Sequence, residues 1–348
     1  MQPFIFPTPS EQHMVYVKDR PRSSGLTSVR FLSPNRLVCC DFNEKMMYLC
    51  EYKEDEIKIL SSIPTIIEDG TPVQTDLLDV NDEGLLVVSN FYQGSQSFYR
   101  YEEDRLSFLY ELKLSPYGRC HGVRFYPGHP DILWVLYCET QNRCIVIIDF
   151  RKKKVLHVLR MPEQMQDVAF IGKYALAAAR TDHIARGRPY KGVMYATVYL
   201  FRLPDDLYNE KPKLIDTWTG EGHLDAIIEH GDRVYYANQY TETIDCFSVS
   251  ENEKIIKNSS IIGYKNSPDT SIIGFAMPHG MDVREDGYIA VTNYLDNSLR
   301  MFFLNQSQEK TSSPSPSVAY NFSVCFHKLK KRIKNFYLKS LDKKTSVN

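Results

Sequence analysis

Apolar residues recur along this chain in runs of about four to eight, separated by Gly, Asn, Asp and Pro, and rarely at the three- and four-residue steps of an amphipathic helix. Residues 26–52, LTSVRFLSPNRLVCCDFNEKMMYLCEY, set the phrase: an apolar run, a turn, a second apolar run ending in a polar residue, then a third run. It returns in QTDLLDVNDEGLLVVSNFYQGSQSFYRY (74–101), CHGVRFYPGHPDILWVLYCETQNRCIVIIDF (120–150) and MQDVAFIGKYALAAARTDH with VMYATVYLFRL after it (165–203). It returns again in HLDAIIEHGDRVYYANQYTETIDCFSV (223–249) and PHGMDVREDGYIAVTNYLDNSLRMF (278–302). Between the first two runs stand SPN, NDEG, PGHPD, GK, HGD and REDG, residues that tolerate the backbone of a tight turn.

Six copies at a period of about 45 residues, stretching to about 57 around the fourth, indicate an all-β, six-bladed β-propeller with three or four short strands per blade. Two stacked β-sandwiches stand as the alternative. The sixth copy is followed by QSQEKTSSPSPS, whose Ser and Pro cannot extend a ladder, so another segment must cover its edge. HMVYVK (13–18) reads as a strand outside the repeats, and an N-terminal strand pairing with the last blade would close the ring. The expected organisation is a propeller over 1–305, a Ser/Pro-rich linker over 306–319 and a basic amphipathic tail, helical or disordered, over 320–348.

In an antiparallel blade the residues before the first strand and after the second lie on one face. The first set reads Thr27, Asp76, His121, Gln166, His223 and His279; the second reads Asp41, Asn90, Glu139, Arg180, Asn238 and Asn293. Three of the nine histidines therefore fall on one repeated position at a channel mouth. Three readings stand. Imidazoles with carboxylate or amide oxygens can hold a divalent ion such as zinc, iron or calcium; a histidine near its ordinary pKa can act as acid or base; or a His-Gly pair can simply hydrogen-bond the neighbouring loop.

PHGMDVREDGYIAVTN and CHGVRF resemble the blade motif of NHL-type and gluconolactonase-type six-bladed propellers, and PHG with its strand is similar to motifs of streptogramin lyases and peptidyl-hydroxyglycine lyases. The resemblance implies that His279, and with it His121 and His223, reach a central active site. Glu221-Gly222-His223 is similar to the Glu-Gly-Pro that supplies a metal-binding Glu in gluconolactonases, which implies Glu221 as a ligand with Asn238 and Asn293 beside it; the Pro is absent here and the segment lies in the fifth copy. A calcium- or zinc-assisted lactonase or lyase is the expectation that follows, with His121, His223 and His279 as catalytic groups or metal ligands. A non-catalytic propeller binding a protein or glycan on its top face is the alternative.

TDHIARGRPYKGVM (181–194) interrupts the fourth copy on the same face as the histidines. Its His183, Arg186, Arg188 and Tyr190, with Asp76, Asn90, Arg180 and Asn238, are candidate contacts for a small anionic substrate, since guanidinium groups pair bidentately with carboxylate, phosphate or sulfate. A solvated loop with incidental charge is the competing reading.

The chain has 348 residues with 42 Lys/Arg against 43 Asp/Glu, but residues 320–348 hold eight of the cations and one Asp. The remainder is acidic, so the body is not expected to bind nucleic acid. FHKLKKRIKNFYLKSLDKK (326–344) spaces Phe326, Leu329, Ile333 and Leu341 as an amphipathic basic helix that suits an anionic membrane surface or a partner's groove. No run of about 18 apolar residues and no secretory pattern occurs, giving a cytoplasmic expectation with peripheral membrane association through that tail. The eight cysteines lack a CxxC pair and sit mostly in apolar runs, the ordinary place of a small buried thiol.

Overall fold

A computed structural model of the chain describes residues 4–5, 25–53, 56–114, 117–139, 141–180, 195–262, 275, 277–294 and 297–304, which form strands and, among the described residues, no helix. β1 (Phe4–Ile5) precedes the repeats. Blade one is β2 (Leu26–Ser33), β3 (Arg36–Asp41), β4 (Met46–Lys53) and β5 (Glu56–Pro64). Blade two is β6 (Thr75–Val80), β7 (Leu85–Asn90), β8 (Ser95–Glu102) and β9 (Arg105–Lys113). Blade three is β10 (Cys120–Tyr126), β11 (His129–Tyr137), β12 (Cys144–Asp149) and β13 (Lys154–Arg160). Blade four is β14 (Gln164–Ile171), β15 (Tyr174–Arg180), β16 (Tyr195–Arg202) and β17 (Lys213–Glu221). Blade five is β18 (Leu224–His230), β19 (Arg233–Asn238), β20 (Thr243–Val249) and β21 (Ile255–Ile262), and blade six has β22 (Pro278–Val283), β23 (Tyr288–Asn293) and β24 (Ser298–Phe303).

The chain is thus a six-bladed β-propeller of four-stranded antiparallel sheets, the sixth sheet running β1-β24-β23-β22. The ring closes through the N-terminus: β1 pairs antiparallel with β24, Phe4 opposite Leu299 and Ile5 opposite Ser298. The expected closing segment 13–18, the loop 181–194 and all residues beyond 304 lie outside the described residues.

The turns form as their residues dictate. In NDEG, Asn81 Oδ1 accepts the backbone N–H of Glu83 and Leu85 at 3.1 and 3.0 Å, while Gly84 takes φ 72°. REDG repeats the device, with Asp286 Oδ1 on the Tyr288 N–H at 3.1 Å and Gly287 at φ 82°. The fourth strand, expected in some blades only, is half exposed; β9 alternates buried and exposed residues, so its apolar side chains do not form one continuous buried run.

The core lies between blades, as wedges that each join two neighbours. One joins Val38, Met47 and Leu49 to Leu86, Val88 and Tyr99; the closing wedge joins Leu26, Val29 and Tyr48 to Tyr288, Ala290 and Leu299. Each fully buried aliphatic side chain contributes about 1.5–3 kcal/mol. The seven described cysteines are buried free thiols, and burial pushes Cys40 and Cys50 up to about 12.

Around the axis the inner strands are also joined by charge. Arg30 Nε donates to Asp79 Oδ1 at 2.9 Å, and Arg30 also donates to the carbonyl of Met281. Arg124 makes a two-point pair with Asp167 and donates to the carbonyl of Ile227 at 2.8 Å. Asp282 Oδ2 accepts the Phe31 N–H at 2.6 Å, which stitches blade six to blade one across 251 residues of sequence. Such forked guanidinium bonds suit Arg rather than Lys at these positions.

Candidate functional site

Each innermost strand begins with a β-bulge. Strand pairing jumps between Leu26 and Ser28, Thr75 and Leu78, Cys120 and Gly122, Met165 and Asp167, Leu224 and Ile227, and Pro278 and Met281. A bulge re-aims the residue left out of the ladder. The residues at this place are Thr27, Asp76, His121, Gln166, Asp225 and His279. Five match the sequence expectation, and the fifth blade differs: Leu224 opposes Asn238 as Thr75 opposes Asn90, so Asp225 occupies the ring position and His223 precedes the strand.

The ring repeats after three blades. Asp76 and Asp225 stand on opposite blades two and five, His121 and His279 on opposite blades three and six, and the carbonyls of Thr27 and Gln166 on one and four. His279 Nδ1–H donates to the Thr27 carbonyl at 2.9 Å, and His121 Nδ1–H donates to the Gln166 carbonyl at 3.1 Å. Each histidine thus leans on the inner strand of the next blade, and this explains the glycine after it. A Cβ at Gly280 would lie 2.4 Å from the Thr27 carbonyl oxygen, and one at Gly122 would lie 2.3 Å from that of Gln166. Only glycine admits that approach.

A carbonyl cannot donate, so Nδ1 carries the hydrogen in both rings and Nε2 of a neutral ring presents a lone pair. Both Nε2 atoms turn to the carboxylates. His121 Nε2 is 3.3 Å from Asp76 Oδ2 and 3.1 Å from Asp225 Oδ1; His279 Nε2 is 3.3 Å from Asp76 Oδ1 and 3.6 Å from Asp225 Oδ2. The two rings lie nearly parallel, with centroids 5.8 Å apart. All four side chains are buried, and Asp76 Oδ1 and Asp225 Oδ1 accept no hydrogen bond.

Burial pushes His121 and His223 well below the ordinary histidine value and His279 down to about 3. It pushes Asp76 and Asp225 well above the carboxylate range, Asp225 also because Asp76 is beside it, while Arg180 pulls both back. Imidazole nitrogens with free lone pairs facing buried carboxyl groups form a donor set that either carboxyl protons or a bound cation can bridge. Asp76, His121 and His279 each offer an atom within 4.8 Å of the others, so this group can hold a metal ion.

The other sequence candidates have distinct places. Arg180 lies beside the cluster, with Nε and Nη2 donating to Gln164 Oε1 at 2.9 and 2.6 Å and Nη1 at 3.5 Å from His223 Nε2. His223 is buried 3.8 Å from Asp225 Oδ2, and its backbone N–H is held by Asn238 Oδ1 at 3.1 Å. Asn90, Asn238 and Asn293 are not brought to the donor cluster; they tie blade hairpins from within, Asn90 through Ser95 and Ser97 at 2.9 Å, Asn238 through Asp245 at 2.9 Å and Asn293 through Ser298 at 3.2 Å. Glu221 is exposed at the end of the outermost strand of blade four. His183, Arg186, Arg188 and Tyr190 lie outside the described residues.

Over the same face stands an aromatic collar that the sequence reading did not name. Phe91 meets the His121 ring edge-on at 6.2 Å, Tyr294 stacks on His279 at 5.8 Å, and Phe42 and Tyr92 pack on Phe91 at 5.7 and 5.0 Å. Arg119 lies over Tyr92 at 5.5 Å. Phe42, Phe91 and Tyr294 each follow a polar residue that closes a second strand, the only sequence cue to their place.

Solved structures share this architecture. A protein from Lactobacillus plantarum aligns at 14% identity over 82% of both chains, with a TM-score of 0.55. One from Bacteroides uniformis, named as a candidate 6-phosphogluconolactonase, aligns at 13% identity over 80% of this chain and 81% of its own, with a TM-score of 0.53. The WD40 repeats of RRP9 align at 8% identity over 81% and 95%, with a TM-score of 0.52. The shared property is the propeller. No family model and no curated protein sequence matches the chain. Among the described residues no helix is long and apolar enough to cross a membrane.

Proposed function

We propose that the chain is a metal-assisted hydrolase or lyase of the lactonase kind, acting on a small anionic molecule where the axial donor cluster meets the propeller mouth. The observation that carries this is the pair of imidazoles whose Nδ1–H groups are locked on backbone carbonyls while Nε2 faces buried carboxylate oxygens without hydrogen bonds. Asp76, His121 and His279 would hold the ion. A divalent ion bound there supplies Lewis acidity and a water that ionises near neutral pH.

The chain's own groups fill the remaining roles. Arg180 is held by the Gln164 amide oxygen beside Asp76 and Asp225, and its guanidinium is the cationic group nearest the cluster that an anionic substrate would pair with. His223, whose Nε2 lies 3.5 Å from Arg180 Nη1, positions that guanidinium. Phe42, Phe91, Tyr92 and Tyr294 border the approach and exclude water from the cluster. The name of the Bacteroides uniformis neighbour denotes a phosphorylated lactone, which is an anionic substrate of this kind.

A non-catalytic binding propeller is the second reading, which the likeness to the RRP9 repeats favours. Both are tested by loading the chelator-stripped protein with zinc, manganese, iron or calcium and assaying hydrolysis of a panel of phosphorylated and carboxylated lactones. Metal-dependent turnover that Arg180→Lys weakens through KM supports the enzyme. A protein that takes up no metal and turns over no member of the panel supports the scaffold.

A further inference from the structure

We propose that Asp225 is the fourth protein ligand of the axial centre, completing a two-carboxylate, two-imidazole set that takes a first-row transition ion in preference to calcium, while His223 stays outside it. The proposal rests on the metal reading above and adds a residue and a class of ion to it.

The internal symmetry of the ring comes first. Asp225 stands at the bulge of β18 as Asp76 stands at the bulge of β6 on the opposite blade, and both bulges absorb two residues against the second strand. Each of the two carboxylates spans both imidazoles, one oxygen to each ring, so nitrogen and oxygen donors alternate around the axis. Neighbouring donors on one small ion bound at about 2.0–2.2 Å stand about 2.8–3.6 Å apart, from octahedral to tetrahedral geometry. The four nitrogen–oxygen separations here are 3.1, 3.3, 3.3 and 3.6 Å.

Asp225 carries a hydrogen bond from the Gln239 side chain, yet one of its oxygens is left over in the way a ligand's is. It is 1% exposed, and its Oδ1 accepts no hydrogen bond although His121 Nε2 is 3.1 Å away; the Nδ1–H of that ring is spent on the Gln166 carbonyl. Two carboxylates match the charge of a divalent ion. His223 differs in place: it precedes the strand instead of standing at the bulge, and its Nε2 lies 3.8 Å from Asp225 and 3.5 Å from Arg180 Nη1.

The donor types select the ion. Calcium takes six to eight oxygens, and two imidazole nitrogens fixed by backbone carbonyls cannot serve it well. Imidazole with carboxylate suits manganese, iron, cobalt, nickel or zinc.

The test uses the full chain stripped by chelator, with Co(II) and Zn(II) as probes followed by calorimetry and by cobalt d–d absorption. One ion per chain is expected, calcium at millimolar concentration leaving it in place. Asp225→Asn should weaken binding by about 100-fold or more, at or beyond the upper end of the loss from a group that only orients a ligand. His223→Gln should leave affinity within about threefold. A thermal melt confirms folding, and Asp225→Ser repeats the measurement if the amide disturbs it. If Asp225→Asn binds like the parent while Asp76→Asn does not, this proposal fails and the metal reading survives. If the parent chain takes neither probe, both fail together.

Discussion

Gly280→Ala tests why a glycine follows the histidine. The added Cβ would sit 2.4 Å from the Thr27 carbonyl oxygen and 2.5 Å from Ser28 Cα, both backbone atoms of β2 that no rotamer change can clear. An ordinary contact needs about 3.4 Å, so β22 and β2 must part by about 1 Å, and overpacking of this kind costs about 1–3 kcal/mol. For a domain of this size that lowers Tm by roughly 2 to 5 °C. The same shift stretches the 2.9 Å bond that aims His279, so Co(II) affinity should fall together with stability. Differential scanning calorimetry with cobalt titration reads both effects. A variant that melts within a degree of the parent and binds cobalt equally well would show that close approach is not the reason for the glycine.

Three further outcomes are expected. Asp282→Ala removes the acceptor of the Phe31 N–H and a carboxylate near Arg30 at the closing seam, and should cost about 1–3 kcal/mol in urea denaturation without changing metal affinity. Asn90→Ala removes two hydrogen bonds inside the hairpin of blade two and should likewise lower stability by about 1–3 kcal/mol while leaving cobalt binding unchanged; a loss of binding with stability intact would place Asn90 in the site. In the metal-free protein His279 is held at about 3 against 6.5 when unfolded, so between these values the unfolded chain binds the extra proton, and the contribution of His279 is complete above 6.5 and lost progressively as pH falls towards 3. As pH falls from 6.5 towards 3, the parent should therefore lose stability relative to His279→Gln by up to about 1.4 kcal/mol per pH unit, read from denaturation midpoints in chelator. A difference independent of pH would contradict the neutral ring.

The propeller was legible because its signals are local. NDEG and REDG build the same turn from the same residue types, and β-branched runs such as CIVIID read directly as buried strands. The outer strands were less legible because one face meets solvent. The site was readable at Asp76, His121 and His279, where the bulge residue immediately follows the first strand residue. It misled at blade five, where Gly222-His223 mimics a blade start but Leu224 takes the pairing with Asn238. Comparing Thr75-Asp76 with Leu224-Asp225, each followed by two apolar residues, would have pointed to Asp225. The charge belt of Arg30, Asp79, Arg124, Asp167 and Asp282 was hidden because its pairs come from different blades; polar residues inside apolar strands announce that a partner exists, not which one.

The most direct measurement is a crystal structure of the full chain soaked in zinc or manganese, with anomalous data at the absorption edge. A single peak on the propeller axis within about 2.0–2.2 Å of His121 Nε2 and His279 Nε2, flanked by Asp76 and Asp225, is the expected result. No peak there, with imidazolium Nε2–H groups donating straight to the two carboxylates, would mean that the cluster is a buried ionic knot that holds the blades together.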